Sequence, residues 1–147
     1  MSVTLIPSSF YDKACAREYL AQVVDIDPDA VVNSAFLPQF DAYFVYEGRE
    51  KPALLDILNR LLSISDYNKV LCHWDGSTLS LGIAQGKSLL LANTFKAEDF
   101  VTAMYFILLS MKSLQLNPEV STVFFISPLT QDQKVSLFHY FKSVAGI

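Results

Sequence analysis

The sequence is poor in cysteine, in basic residues and in long apolar runs, and each shortage argues against a class of protein. Two cysteines in 147 residues cannot build the disulfide framework of a small secreted domain, and they lack metal-site spacing. Eleven basic residues against fifteen acidic ones are scattered, so the basic surface that nucleic acids require is missing. The most apolar stretch, 100–109, has about half the length of a membrane span. We therefore expect a cytoplasmic protein that binds neither nucleic acid nor membrane.

Apolar residues, in contrast, are abundant. They make up 52% of the chain, while charged residues make up only 18%, and the aromatic residues include 11 Phe and 7 Tyr. This composition is typical of a folded protein with a large core, and it slightly exceeds the usual apolar share. Some apolar surface is therefore expected to contact a partner.

The first half of the chain alternates strand and helix patterns. Pro7 ends a first apolar run, Ser8 and Ser9 are suited to cap a helix, and Pro38 separates two strand-like runs. The predicted elements are a strand over 3–6, a helix from about 9 to 24, strands over 31–37 and 42–46, and a helix over 52–63. A change of pattern near 65–68 predicts a boundary, so we assign 1–66 to a smaller α/β segment and 67–147 to a larger lobe.

Two dipeptides, Asp75-Gly76 and Gln85-Gly86, predict tight turns between three strands over 69–74, 77–84 and 87–94. A type I′ turn at Asp75-Gly76 would pair Trp74 with Ser77, Cys72 with Leu79, Val70 with Leu81 and His73 with Thr78. The same register, extended across the second turn, puts Leu90 beside Leu81 and places Leu89 and Leu91 on the face that carries Leu71. Both faces are then partly apolar, which predicts helices on both sides of the sheet.

A helix over 97–116 follows, and it is apolar nearly all the way round. We expect Glu98 and Asp99 in its first turn, Asn117 as its left-handed cap and Pro118 as its stop. Because one sheet face cannot bury such a helix, we expect a protein partner or a second copy of the chain to cover its other side.

The remaining elements are a buried strand in VSTVFFIS and a last helix that opens with a Thr130–Gln133 capping box. The helical pattern is predicted to turn four apolar residues inward and two lysines to water: Val135, Phe138, Phe141 and Val144, and Lys134 and Lys142. His139 falls on the exposed side and is expected to be solvated.

From Lys69 onward the order strand, strand, strand, helix, strand, helix resembles a ribonuclease-H-like lobe, the unit that is duplicated in actin-like ATPases. The whole chain also resembles an uncharacterised bacterial family whose members look actin-like. The stretches LIPSSFYD, REYL and NTFKAEDFVTAMYFILLSMKSLQLNPE carry this resemblance. It implies an α/β fold with a mixed sheet and helices on both faces, and longer relatives in which a first lobe precedes the part seen here.

The same resemblance implies where a nucleotide would bind. Actin-like ATPases carry an Asp, a spacer and Gly-Ser/Thr in the first hairpin of each lobe, whose amides hold phosphate. Here the nearest match is Asp75, Gly76 and Ser77 without the spacer, and Ser127-Pro128 replaces the expected glycine pair after the fourth strand. We therefore treat these three residues as a degenerate cofactor-binding turn, with ATP and magnesium as the implied ligands, and expect that no cofactor is bound.

Other candidate sites are weaker. A ribonuclease-H-like nuclease needs converging carboxylates, and only Asp75 with Glu98 or Asp99 is available. Cys72 and His73 are adjacent in a strand, so they face opposite sides and cannot act as a nucleophile and base. The run Asp25, Asp27, Asp29 resembles the start of a calcium loop but lacks its glycine and its glutamate, and we interpret it as a turn. No catalytic or metal-ligating residue is predicted.

Three functional hypotheses remain. The first is a non-catalytic scaffold or interaction module on an actin-like fold, acting as an oligomer or with a partner. The second is a nucleotide-dependent ATPase that needs a first lobe to complete its cleft. The third, a nuclease, has the least support, because the fourth strand ends in Ser127 with no acid before Asp132.

Overall fold

The computed structural model describes residues 3–147. The chain divides into two compact units, Met1–Asp56 and Ile57–Ile147. The assignment of 1–66 to the remainder of a first actin-like lobe stays a prediction. Across the described residues, none of the helices combines the length and the apolar character that a bilayer crossing requires.

The first unit is built on an antiparallel three-stranded sheet. Its strands are β1 (Val3–Pro7), β2 (Val32–Leu37) and β3 (Ala42–Glu47), with β3 in the centre, and a short helix, α1 (Ala16–Ala21), contacts all three. Leu20 of α1 and Phe44 of β3 are fully buried. Both strands predicted after the first helix, over 31–37 and 42–46, are confirmed, with Pro38 opening a 3-10 turn between them.

The predicted helix over 9–24 is too long. Ser8–Phe10 and Lys13–Cys15 are separate 3-10 turns, and only Ala16–Ala21 is α-helical. Asp12 has extended backbone angles, and its carboxylate accepts a hydrogen bond from the Ala14 amide at 3.0 Å. The predicted caps Ser8 and Ser9 therefore do not start the helix, because Asp12 interrupts the chain after them and caps the second turn instead.

The second unit contains a five-stranded mixed sheet in the order β6-β5-β4-β7-β8. The strands are β4 (Asn68–Trp74), β5 (Thr78–Gln85), β6 (Ser88–Lys96), β7 (Thr122–Phe125) and β8 (Ser143–Gly146). The first three are antiparallel, whereas β7 runs parallel to β4 and β8 parallel to β7. The helices are α2 (Ala53–Leu61), which includes the boundary between the units, α3 (Phe100–Ser113) and α4 (Gln131–Phe138).

Helical residues cover both faces of this sheet, as predicted. On one face, Val70, Cys72 and Leu81 belong to a buried cluster with residues of α3 and with Leu137 of α4. On the other face, Gly82 lies directly beneath Ile57 and Leu61 of α2. The layered α/β class expected from the two apolar faces is therefore confirmed.

The register of the first hairpin differs from the prediction by two residues. Cys72 pairs with Leu81 in place of Leu79, and Val70 pairs with Ile83 in place of Leu81. Trp74 pairs with Leu79 in place of Ser77, and His73 pairs with Ser80 in place of Thr78. The turn is centred on Gly76-Ser77 and not on Asp75-Gly76, and only Gly76 has positive φ (98°). A type I′ turn needs positive φ at both central residues, so the type I′ prediction is wrong. A shift of two leaves every side chain on its predicted face.

A β-bulge changes the faces further along. The pairing of β5 with β6 shifts between Ile83 and Ala84, which pair with Leu91 and Leu89, so Leu90 is an extra residue. Leu89 stays on the face of Leu71 as predicted, but Leu91 moves to the opposite face, the one that carries Val70. The predicted pairing of Leu90 with Leu81 is also wrong, because Leu81 pairs with Asn93.

The predicted ends of α3 need two corrections. Asp99 is the N-cap, its carboxylate accepting from the Thr102 amide at 2.7 Å, so Glu98 and Asp99 precede the first turn. The left-handed residue is Gln115 (φ 59°) and not Asn117. The Leu116 and Gln115 amides bond to the carbonyls of Met111 and Lys112, which is a Schellman ending. Asn117 instead caps the following 3-10 turn through the Glu119 amide.

The start of α4 was predicted correctly, and of the residues predicted to face inward Phe141 is buried as expected, whereas Val135 and Phe138 are not. The capping box is present, with the Gln133 amide donating to Thr130 Oγ1 and the Thr130 amide donating to Gln133 Oε1. Leu137 and Phe141 are buried, whereas Val135 and Phe138 are exposed. The helix ends at Phe138. Val144, predicted as an inward residue of this helix, belongs instead to strand β8, which was not predicted.

Candidate functional site

The hairpin corner between β4 and β5 is held together by one carboxylate. Asp75 Oδ1 accepts hydrogen bonds from the Thr78 amide (2.7 Å), the Ser77 amide (2.9 Å) and Ser77 Oγ (3.1 Å). The Asp75 amide in turn donates to the Thr78 carbonyl at 3.3 Å. The two amides and the hydroxyl that an anionic ligand would need at this corner therefore already have an acceptor within the chain. Phosphate binding by Asp75, Gly76 and Ser77 stays a prediction.

The hydrogen bonds at the corner also act on the acidity of Asp75. The Ser77 and Thr78 amides stabilise the ionised carboxylate and hold its pKa below the ordinary value of 3.8. A carboxyl group with a lowered folded-state pKa stabilises the fold at pH values above its unfolded pKa. That contribution is lost as the pH falls through the folded-state pKa.

We expect the Asp75→Asn variant to unfold at a lower temperature than the wild type at about pH 6, and the difference to shrink as the pH falls through the folded-state pKa of Asp75, because the carboxyl group then becomes neutral. Asp75→Ala, which also removes the acceptor, should remain less stable at every pH. Thermal unfolding across this pH range measures both differences. A difference between Asp75→Asn and the wild type that did not change with pH would contradict the prediction.

A cavity lies at the end of the same sheet, where β7 and β8 finish. Ser127 connects the two places, because its Oγ accepts a hydrogen bond from the amide of Trp74, the residue before Asp75, at 3.2 Å. The cavity has a volume of about 350 Å³, and its lining includes Ser127, Pro128, Lys134 and Gly146. Clefts beside the carboxyl ends of parallel strands are common ligand sites in α/β folds.

Sequence reasoning missed part of this cavity. The resemblance marks Ser127 and Pro128, but the helical pattern predicts Lys134 only as a solvated residue of the last helix. Gly146 was missed because the pattern around Val144 continues that of α4, so β8 was not predicted. The available signal was Gly146 itself, since glycine is unfavourable in a helix.

The other candidate residues are not assembled into a reactive site. Cys72 is fully buried, and burial raises the pKa of its thiol, which opposes formation of the nucleophilic thiolate. His73 lies on the opposite face of β4, opposite Ser80. His139 is exposed, as expected.

The acidic candidates also remain separate. Asp27 closes a local turn by accepting from the Asp29 amide at 3.0 Å, which agrees with the interpretation of that run as a turn. Glu98 contacts Lys96 at 3.7 Å, while Asp99 caps α3. Within residues 3–147, no three His, Cys, Asp or Glu side chains form a group suited to a metal ion.

The outer side of α3 is an exposed apolar surface of the second unit. Val101, Tyr105 and Leu109 have 71%, 58% and 44% of their surface exposed. The helical period brings these three residues into one stripe, because each is four positions from the next. Ala103, Ile107 and Met111 are buried on the inner side. The structure therefore shows an apolar helix with one side exposed to solvent.

Comparison with known proteins identifies the family. The profile of the family described as "Protein of unknown function (DUF3822)" matches residues 49–144. The chain belongs to this family. Among curated proteins, none matches the DUF3822 chain.

One solved structure is similar to the DUF3822 chain over almost its whole length. It is a Bacteroides thetaiotaomicron protein described as having an actin-like ATPase fold and unknown function, with a TM-score of 0.76 and 14% identity. The alignment covers 99% of the DUF3822 chain and 65% of the Bacteroides protein. The resemblance to an uncharacterised actin-like family is thus confirmed, and so is the fold. The DUF3822 chain spans about two thirds of that relative.

Proposed function

We propose that the chain is a non-catalytic protein-interaction module built on the actin-like fold. The observation that carries this proposal is the Asp75 corner, where the carboxylate accepts from the Ser77 and Thr78 amides. A phosphate that used the same amides would have to displace the carboxylate and would meet its negative charge at contact distance. The corner therefore favours a turn that serves the fold over one that binds phosphate.

The α3 surface supports the second half of the proposal. A stripe of exposed apolar side chains on α3 costs solvation free energy in the free protein, and such patches mark interaction sites. The hairpin corner supplies no comparable apolar surface, because Asp75, Gly76 and Ser77 are polar or small. The stripe begins at Val101 and shares no residue with the corner, while the Ala97 amide, just before α3, donates to the Ser77 carbonyl at 2.9 Å.

The cysteines support a proposal for the compartment. Cys15 and Cys72 are both free thiols. Free thiols are ordinary in the reducing cytoplasm, and we propose that the protein acts there.

A second candidate function, nucleotide binding as part of an ATPase, is favoured by the cavity beside Ser127. Its volume of about 350 Å³ lies within the usual range for small-molecule sites, and Lys134 offers a positive charge. Catalysis would need the further lobe that actin-like ATPases provide across the cleft.

Thermal unfolding with magnesium and ATP separates the two functions. A ligand that binds only the folded state at 100 times its Kd adds about 2.7 kcal/mol of stability, which is a clear rise in the melting temperature. We expect no rise at millimolar nucleotide. A rise that disappears in Lys134→Ala would place ATP in the cavity and favour the second function, and a rise that disappears in Ser77→Ala would place it at the hairpin corner and contradict the argument from Asp75.

A further inference from the structure

The exposed stripe on α3 has a charge pattern that is complementary to itself. Its centre is Tyr105, with Val101 four positions before and Leu109 four positions after. Glu98, 75% exposed, lies beyond one end, and Lys112, also exposed, lies at the other end. From Glu98, which precedes the N-cap Asp99, to Lys112 in the last turn, the order along the chain is thus acidic, apolar, aromatic, apolar, basic.

We propose that this stripe is covered by α3 of a second copy of the chain, with the two helices antiparallel about a two-fold axis at Tyr105. The inference rests on the proposed interaction function and names its partner. In this arrangement Tyr105 meets Tyr105 of the second copy, and Val101 meets Leu109. Each apolar side chain of the stripe then contacts another apolar side chain.

Charge complementarity selects the antiparallel arrangement. Glu98 lies seven positions before Tyr105 and Lys112 seven positions after it, so the end with Glu98 and Lys96 meets the end with Lys112 of the other copy, and Glu98 can approach that lysine. A parallel pairing would instead place Glu98 beside Glu98 and Lys112 beside Lys112. Opposite charges across an interface favour one register and disfavour the others. The two-fold arrangement also closes at two copies, because both use the same surface.

Glu98 and Lys112 are both available for this pairing. Glu98 contacts Lys96 at 3.7 Å, but both side chains are highly exposed (75% and 84%), and an ion pair of this kind contributes little. The neighbouring Asp99 is engaged in capping α3 and does not compete.

The size of the stripe limits the affinity that we expect. Stable dimers bury about 800 Å² on each partner, and a single helix face of three apolar residues is smaller than that. We therefore expect dissociation in the micromolar range. The monomer and the dimer should both be populated across an accessible range of concentrations.

Sedimentation equilibrium on single and mixed charge variants tests the proposal. Glu98→Lys alone and Lys112→Glu alone should each weaken the dimer by about tenfold or more, because each creates two like-charged contacts. An equimolar mixture of the two variants should restore the affinity. In the mixed dimer the introduced lysine faces the introduced glutamate at one end, and Glu98 faces Lys112 at the other. A mixture that dimerised no better than its components would overturn the antiparallel register.

Cysteine cross-linking tests the position of the axis. In a Cys15→Ser background, Tyr105→Cys should form an intermolecular disulfide on mild oxidation, because a residue on a two-fold axis meets its own copy. Val120→Cys, at a site that is 66% exposed in the same unit and outside the stripe, is the matched control and should not. Equal cross-linking at both positions would contradict the proposed axis.

The two proposals fail in different ways. A wild-type chain that remains monomeric up to about 500 μM would overturn the second copy as the partner, since an interface of micromolar affinity would be saturated. The non-catalytic function would still be judged by the nucleotide experiment, which does not depend on the state of association.

Discussion

Leu137→Ala is expected to lower the free energy of unfolding by about 2–5 kcal/mol, whereas Phe138→Ala, at the next position of α4, should change it by less than about 0.5 kcal/mol. Leu137 is completely buried in the core shared by α3 and the sheet, and Phe138 is 53% exposed. Removal of buried methyl groups loses both their transfer energy and the packing around the cavity that remains. Phe138, although it has the larger side chain, is therefore expected to contribute less to the free energy of unfolding than Leu137.

Chemical denaturation of the two variants measures this contrast directly. The pair is matched, because both substitutions leave alanine on the same helix and alter its propensity in the same direction. The sequence pattern had predicted Phe138 as the inward residue. A greater loss of stability in Phe138→Ala than in Leu137→Ala would restore that prediction and contradict the structure.

Gly82→Ala should destabilise the protein by about 1–3 kcal/mol, although alanine usually improves a strand. A Cβ at Gly82 would lie 2.7 Å from Ile57 Cγ2 and 3.4 Å from Leu61. Ile57 is β-branched and fully buried, so its methyl group cannot turn away without moving the helix. Gly146→Ala is the control, because a Cβ there meets nothing within 4 Å, and we expect it to be neutral or slightly stabilising.

A double-mutant cycle identifies the cause of the Gly82 effect. Ile57→Ala removes the methyl group that a Cβ at position 82 would strike, so Gly82→Ala should cost less in the Ile57→Ala background than in the wild type, by about 1 kcal/mol or more. Equal costs in both backgrounds would show that the close approach of β5 to α2 is not responsible.

Sequence patterns predicted the elements of the second unit well, because strong local signals mark them. The doublets at Asp75-Gly76 and Gln85-Gly86 lie at two real hairpins, and the Thr130–Gln133 capping box starts a real helix. Turn and cap chemistry acts within three or four residues, so it can be recognised without knowledge of the tertiary structure.

The errors arose where a side chain or the pairing of strands overrode the local sequence pattern. The Asp75 carboxylate bonds to the Ser77 and Thr78 amides and moves the turn one residue along, which shifts the strand pairing by two. The bulge at Leu90 depends on how β6 pairs with β5, and the sequence around Leu90 contains no signal that predicts it. Strand β8 was missed because its partner β7 is distant in sequence, and a four-residue strand has little pattern of its own.

The candidate site was predictable only in part, for a related reason. Asp75, Gly76, Ser77, Ser127 and Pro128 could be singled out from the resemblance. The cavity beside them depends on β8 lying parallel to β7, which brings Gly146 near Lys134. Contacts between segments of this kind follow from the assembled sheet and not from any one stretch of sequence.

The Asp75 carboxylate is an anion that the chain itself supplies to the amides of this hairpin turn. Since the donors of the turn are satisfied from within the chain, strands β4 and β5 can close their connection whether the surrounding solution is rich in phosphates or free of them. The connection of this strand pair is therefore completed by groups of the chain itself.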